Sequence, residues 1–266
     1  MKTTTAILLL FGTLLFTMCT PVEEYEIGEG TWVDLTHDYS EETLFWPTSD
    51  TFKLDTVFVG QTDSGFYYES YKFSTAEHGG THLDAPIHFS EGKKSVEELE
   101  VDQLTGQAVV VDVSDKAEAN RDYQITPKDL TSWEAEYGEI PNGAMLLFYT
   151  GLSAYWPDAE QYLGTTTRGQ QGVAELSFPG IHPETARWLV ENRNIKAVGL
   201  DTPSLDYGQS TLFETHQILF EANIPGFENV ANLDQLPATG AYVVALPMKI
   251  KNGSGAPLRI VALVKD

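Results

Sequence analysis

Apolar and polar positions alternate along Thr31–Thr36, Phe52–Phe58 and Tyr67–Ser74, and each run is rich in β-branched or aromatic residues, which predicts strands. The pattern then changes. Gln107–Val113 and Ala144–Thr150 are continuous apolar runs of the kind buried on both faces, and Lys196–Asp201 is a third strand. Between them the period lengthens. Thr126-Pro127 is a helix start that runs toward Tyr137 before Gly138 ends it, and Pro183 opens a second helix through about Asn192. A third helix is predicted over Thr211–Asn223, with strands near Tyr242–Ile250 and Leu258–Val264. Strand–helix–strand alternation predicts one α/β domain over residues 31–266, with a mixed, partly parallel sheet and an antiparallel N-terminal region. Glu118–Asp122 and Asp158–Gly172 are polar or rich in Gly, Thr and Gln, and are expected to be surface excursions.

The first thirty residues read differently. Thr3 to Val22 carries no charge, and the apolar stretch Ala6–Met18 has the length of a signal-peptide core, not of a membrane span. Cys19 follows where a bacterial lipoprotein carries its lipidated cysteine. Residues 1–18 are therefore expected to be a signal peptide, and 19–30 an acidic tether. The expected location is the periplasm or cell envelope, with a lipid anchor at Cys19. Charge narrows the partners: 16 Lys and Arg against 39 Asp and Glu leave a net −23, a field that repels nucleic acid. The single cysteine excludes an intramolecular disulfide and a thiolate-built zinc site. Serine-hydrolase elbows, phosphate-binding loops and dinucleotide turns are absent from the sequence.

The chemistry concentrates in His78-Gly79-Gly80-Thr81-His82-Leu83-Asp84-Ala85-Pro86-Ile87-His88, which holds three of the six histidines. Imidazole and carboxylate suit Zn²⁺ or Mn²⁺. An extended segment would put His82 and Asp84 on one face, and Gly79-Gly80 would let the chain turn His78 toward the same point.

This segment resembles the signature of the metal-dependent hydrolases of the cyclase family, which includes bacterial kynurenine formamidases and isatin hydrolases. Asp34-Leu35-Thr36-His37, Trp46-Pro47 with Asp50-Thr51, Phe178-Pro179-Gly180-Ile181 and Gly199–Asp206 resemble further family stretches. His216, then Glu228-Asn229-Val230, fits the C-terminal pattern. The resemblance implies a swivelling β/β/α type of fold. It also implies one divalent ion, Zn or Mn, on His78, His82 and Asp84, and a second held by Asp84, His216 and Glu228. His88 falls on the family's proton-transfer position, and Phe45 and Trp46 on its aromatic substrate wall. Relatives form homodimers or homotetramers. The implied reaction is cleavage of an amide C–N bond, in a formamide or cyclic amide, of a small aryl substrate. The alternatives are a lactone or cyclic-imide hydrolase of the same family, and an exported metal- or ligand-binding lipoprotein without turnover. His37 and His182 receive no catalytic role, and His182 is expected to cap or flank a helix. Asp201, Ser204 and Asp206 either orient ligand imidazoles or mark a strand end and turn. Trp156, Tyr155 and Phe178 are further aromatic candidates for a pocket.

Overall fold

The apolar runs without alternation become the parallel centre of the sheet, because both of their faces are covered. The computed structural model describes residues 30–265, so the expected signal peptide, Cys19 and nearly all of the expected acidic tether lie outside the described residues. In chain order the strands are β1 (Thr31–Asp34), β2 (Lys53–Gln61), β3 (Tyr67–Ser74), β4 (His82–Asp84), β5 (Thr105–Asp112) and β6 (Gln124–Ile125). Then come β7 (Ala144–Tyr149), β8 (Gly180–Ile181), β9 (Ile195–Leu200), β10 (Gly226–Glu228), β11 (Ala241–Pro247) and β12 (Gly255–Val264). The helices are α1 (Ser114–Ala119), α2 (Pro127–Tyr137), α3 (Ala159–Leu163), α4 (Gly169–Glu175), α5 (Pro183–Asn192) and α6 (Glu214–Glu221).

The main sheet is mixed and runs β1-β12-β11-β5-β7-β9-β10-β4, and β4 also pairs with β12. That last pairing closes the sheet into a barrel-like ring, with β1 as an extra strand on β12. The steps β5–β7–β9–β10 are parallel and the others antiparallel. Successive residues of the central strands feed two cores, as a period of two requires. Val110, Met145, Leu147 and Ala197 point into the ring with Leu83, Phe227 and Ile260. Val109, Val111, Leu146, Phe148 and Val198 point outward under Leu130, Leu189 and Leu219 of the helices. Strands Gln107–Val113, Ala144–Thr150 and Lys196–Asp201 and the helices α2 and α5 thus lie close to their predicted places. At α2, Thr126 and Asp129 form the reciprocal cap that holds its first turn.

Two expectations change. The predicted helix over Thr211–Asn223 is shorter, because Phe213 (φ 51°) and Asn223 (φ 57°) are both left-handed and bracket it. The expected surface excursion at Asp158–Gly172 holds two short helices. Asp158 caps α3 by accepting the Gln161 N–H at 3.0 Å, and Tyr162 and Leu163 are buried in a small third core with Leu176 and Phe178. A few buried side chains among many polar ones leave no periodic signal. Strands β2 and β3 form a separate hairpin exposed on both faces.

Candidate metal centre and aromatic pocket

β4 sends Leu83 into the ring and therefore turns His82 and Asp84 to the other side. β10 lies antiparallel beside it with Glu228 opposite His82, while Phe227 joins Leu83 inside. α6 brings His216 over this pair, and the turn before β4 brings His78. Two overlapping ligand groups result: His78, His82 and Asp84, then Asp84, His216 and Glu228, with donor atoms within 4.8 Å of one another in each. His82 Nε2 is 3.1 Å from Asp84 Oδ1 and 3.4 Å from Glu228 Oε2. His216 Nε2 is 3.1 Å from Glu228 Oε1 and 3.4 Å from Asp84 Oδ2.

Each imidazole is held by its other nitrogen. His216 Nδ1 is 2.6 Å from the Asp206 carboxylate, and His82 Nδ1 donates to the Gly80 carbonyl at 2.9 Å. For His78 the support is Ser254, whose hydroxyl lies 2.9 Å from Nε2 and donates to Glu77 at 2.7 Å. Close approach of His78 requires glycine at 255, since a β-carbon there would lie 2.4 Å from the imidazole Cε1.

The electrostatics follow from two buried carboxylates among buried imidazoles. Burial opposes charge on Asp84, but the His78 charge and the close imidazoles of His216, His78 and His82 hold it well below the usual carboxylate range. Burial also opposes charge on His82, yet Asp84 and Glu228 push it up to about 9. His216 lies well above its ordinary value, with burial outweighed by Asp206, Asp84 and Glu228. Burial and the Asp84 charge raise Glu228. His82 Nε2 is buried with no hydrogen-bond partner. An orphaned imidazole nitrogen facing two carboxylates is the donor set of a divalent cation such as Zn²⁺ or Mn²⁺, so the residues fit one.

His88 ends the 3₁₀ turn Pro86–His88, with its ring stacked on His78 at 3.8 Å between centroids and 16° between planes. Burial and the neighbouring imidazoles lower its pKa to about 4, against the pull of Asp84. It belongs to neither ligand group. Above the centre is a cavity of about 260 Å³ lined by Phe45, Trp46, Phe89, Leu163 and Phe213. Phe45 lies directly on Gly79, where a β-carbon would sit 2.1 Å from its ring. Phe213 is 5.3 Å from Phe89 and 6.1 Å from Trp46 between centroids.

All eight residues singled out from the sequence, His78, His82, Asp84, His88, His216, Glu228, Phe45 and Trp46, line this one cavity. Of the other candidates, Ser204 also lines it and the rest lie outside its lining. His37 stacks on Trp156 at 4.3 Å, Tyr155 is exposed, and Phe178 supports Trp46 from behind at 6.4 Å. His182 caps α5 by accepting the Glu184 N–H at 3.1 Å. Asp206 orients His216, Ser204 lines the cavity, and Asp201 accepts the Thr150 hydroxyl at 2.7 Å and ties β9 to β7. Phe89, Phe213, Asn229 and Ser254 were not singled out. Phe89 borders the His-rich motif and offered a signal. Phe213 and Ser254 reach the site only through a left-handed turn and a long-range closure.

The model of the Cyclase family matches residues 33–207. The chain belongs to the Cyclase family. An isatin hydrolase from Roseibium aggregatum is 33% identical over 196 residues, 71% of this chain and 72% of that protein. A kynurenine formamidase from Bacillus cereus is 27% identical over 231 residues, 86% of this chain and 96% of the relative. Among solved structures, isatin hydrolase A from Labrenzia aggregata bound to benzyl benzoate matches with a TM-score of 0.80 and 34% identity, covering 89% of this chain and 94% of that one. The family match ends before His216 and Glu228, so for this Cyclase-family chain their place in the centre rests on geometry.

Proposed function

We propose that this chain is a metal-dependent hydrolase of an amide C–N bond, in a formamide or cyclic amide, of a small aryl substrate. The observation that carries the reading is the convergence of His78, His82, Asp84, His216 and Glu228 beneath an aromatic cavity, with a sixth side chain, His88, beside them and outside both ligand groups. A divalent ion in such a site polarises a carbonyl and acidifies water toward neutral pH. The aromatic walls orient a flat ring and exclude bulk water. His88, held neutral by burial, has a lone pair free to take a proton and return it to the leaving nitrogen. Both named relatives act on compounds of this kind, an isatin in one case and a formamide of kynurenine in the other.

The test is elemental analysis of residues 20–266 beside Asp84→Ala, followed by turnover assays on an aryl formamide, an isatin-type lactam and a lactone. One or two Zn or Mn per chain, lost in Asp84→Ala, with turnover of the formamide or lactam, is the expected result. No metal after reconstitution with either ion overturns the reading in favour of a binding lipoprotein, and turnover confined to the lactone overturns the substrate class.

We propose as well that a second copy of the chain covers the β2–β3 hairpin, in a homodimer or homotetramer. Leu54 pairs with Phe73 and Thr56 with Tyr71 on one face, and Leu54, Tyr71 and Phe73 are 51%, 44% and 50% exposed. An isolated two-stranded hairpin is marginal in water and gains from a cover. The one charge on this face, Glu69, accepts the hydroxyls of Tyr67 and Tyr71. In a chain of net charge −23 such a stripe is where two copies repel least. Sedimentation should give an oligomer that Leu54→Lys with Phe73→Lys reduces to a monomer; a monomeric parent refutes this. Export with acylation of Cys19 completes the proposal, and metabolic fatty-acid labelling lost in Cys19→Ser is its test.

A further inference from the structure

His216 is supported by a carboxylate, but His82 leans on a main-chain carbonyl, and that carbonyl has a support of its own. Gly80 O receives His82 Nδ1 at 2.9 Å and Asn229 Nδ2 at 2.7 Å. A carbonyl has no proton to give, so both partners are donors. This fixes the His82 tautomer with Nε2 toward Asp84 and Glu228. It also fixes the Asn229 amide with Oδ1 turned away from Gly80. Oδ1 meets the Tyr162 hydroxyl at 2.8 Å and, being only an acceptor, makes Tyr162 the donor. The other acceptor near that hydroxyl, the Asp201 carbonyl, is farther, at 3.0 Å.

Both ends of this chain of bonds are anchored. Tyr162 is fully buried, and its phenol is pushed well above the ordinary range, so it keeps its proton. Asn229 is left-handed (φ 53°), which asparagine tolerates better than most residues. Its N–H donates to Thr202 O at 2.8 Å and its carbonyl accepts the Thr81 hydroxyl at 2.7 Å. Asn229 borders the cavity, yet both polar atoms of its side chain are already committed.

We infer that Tyr162 and Asn229 are positioning residues of the metal centre, forming a relay from Tyr162 through Asn229 and Gly80 to His82 that aims Nε2 of His82 at the ion. The inference rests on the reading of His82 as a metal ligand. It gives α3, whose Leu163 already lines the cavity, a second role in the site.

The test is Co²⁺ affinity by competition with a chromophoric chelator, together with the visible spectrum of the Co²⁺-loaded protein. Tyr162→Phe and Asn229→Ala are made singly and together in the full chain. Each single variant should bind Co²⁺ roughly tenfold more weakly and shift the Co²⁺ bands, the size seen when a ligand's hydrogen-bond support is lost. The double variant should be no weaker than Asn229→Ala, because Tyr162 acts only through Asn229. Parent-like affinity and spectrum in Tyr162→Phe, even with a lower melting temperature, would show that Tyr162 only packs. Additive losses would route its effect through Asp201 and also overturn the relay. Should Asn229→Ala fail to fold, Tyr162→Phe, which keeps the ring, decides alone. A parent that binds no Co²⁺ removes the metal reading and the relay together, whereas a parent that binds beside unaffected variants removes the relay alone.

Discussion

Asp206→Asn is the most discriminating single substitution, because one carboxylate does two jobs. Its Oδ2 is 2.6 Å from His216 Nδ1 and accepts the His216 N–H at 3.2 Å, while Oδ1 accepts the Thr215 N–H and the Ser210 hydroxyl, each at 3.2 Å. Phe213, at the helix N-cap, has no side chain that can cap, so Asp206 supplies the cap of α6 from outside and orients His216 at the same time. In the asparagine variant one oxygen can still accept from Nδ1, but the amide NH₂ then faces the Thr215 N–H, donor against donor. The charge-assisted bond, worth about 1.5–3 kcal/mol, becomes a neutral one worth about 0.5–1.5 kcal/mol. Metal affinity should therefore fall by about 1–2 kcal/mol, roughly 5- to 30-fold, and metal-free stability by about 1 kcal/mol from the weakened cap. Competitive metal titration measures the first effect and chemical denaturation with excess chelator the second. Affinity within twofold of the parent, alongside the stability loss, would show that Asp206 only caps the helix and has no part in presenting His216.

Three further outcomes are expected. His88→Asn should keep its metal by elemental analysis and lose turnover by roughly 10²- to 10⁴-fold; loss of metal would make His88 a ligand. Phe213→Ala opens the wall between Trp46 and Phe89, so KM for an aryl substrate should rise about tenfold with kcat within a few-fold; a kcat effect alone would place Phe213 outside substrate binding. Burial, opposed by Asp38, lowers His37 to about 4 from 6.5, so the unfolded chain takes up its proton first. The stability contribution is whole above pH 6.5 and is lost as pH falls toward 4, by up to about 3 kcal/mol. His37→Gln should flatten that part of the denaturation profile, and an unchanged slope would refute the assignment.

Local chemistry made much of this molecule readable. Pro127 and Pro183 mark helix starts through their fixed φ, Gly138 marks a helix end through its freedom to take a positive φ, and Val109–Val111 or Leu146–Phe148 read as buried strands because no polar residue interrupts them. The His78–His88 cluster was visible because ligand-type side chains are dense there. Residues that act at a distance left no such mark. Ser254 supports His78 only after the chain has closed on itself, and Tyr162 is one buried aromatic in a polar stretch. Phe213 enters the cavity through a left-handed backbone that phenylalanine does not advertise.

The closure of the barrel sets an order of events during synthesis. β12 pairs with β1, β4 and β11, and Ser254, at its edge, lies 176 positions after the His78 it supports. A chain made from its N-terminus exposes the His78–His88 motif long before the strand that completes it. Until residues 254–264 arrive, β4 lacks one neighbour and His78 lacks its hydroxyl support. The ligands can then capture a cation only as a loose, unfinished set. Contacts of such separation form late and slowly. The finished centre is thus a signal that the whole length of the barrel has been made, and a chain stopped before residue 254 would carry the recognisable motif without the site.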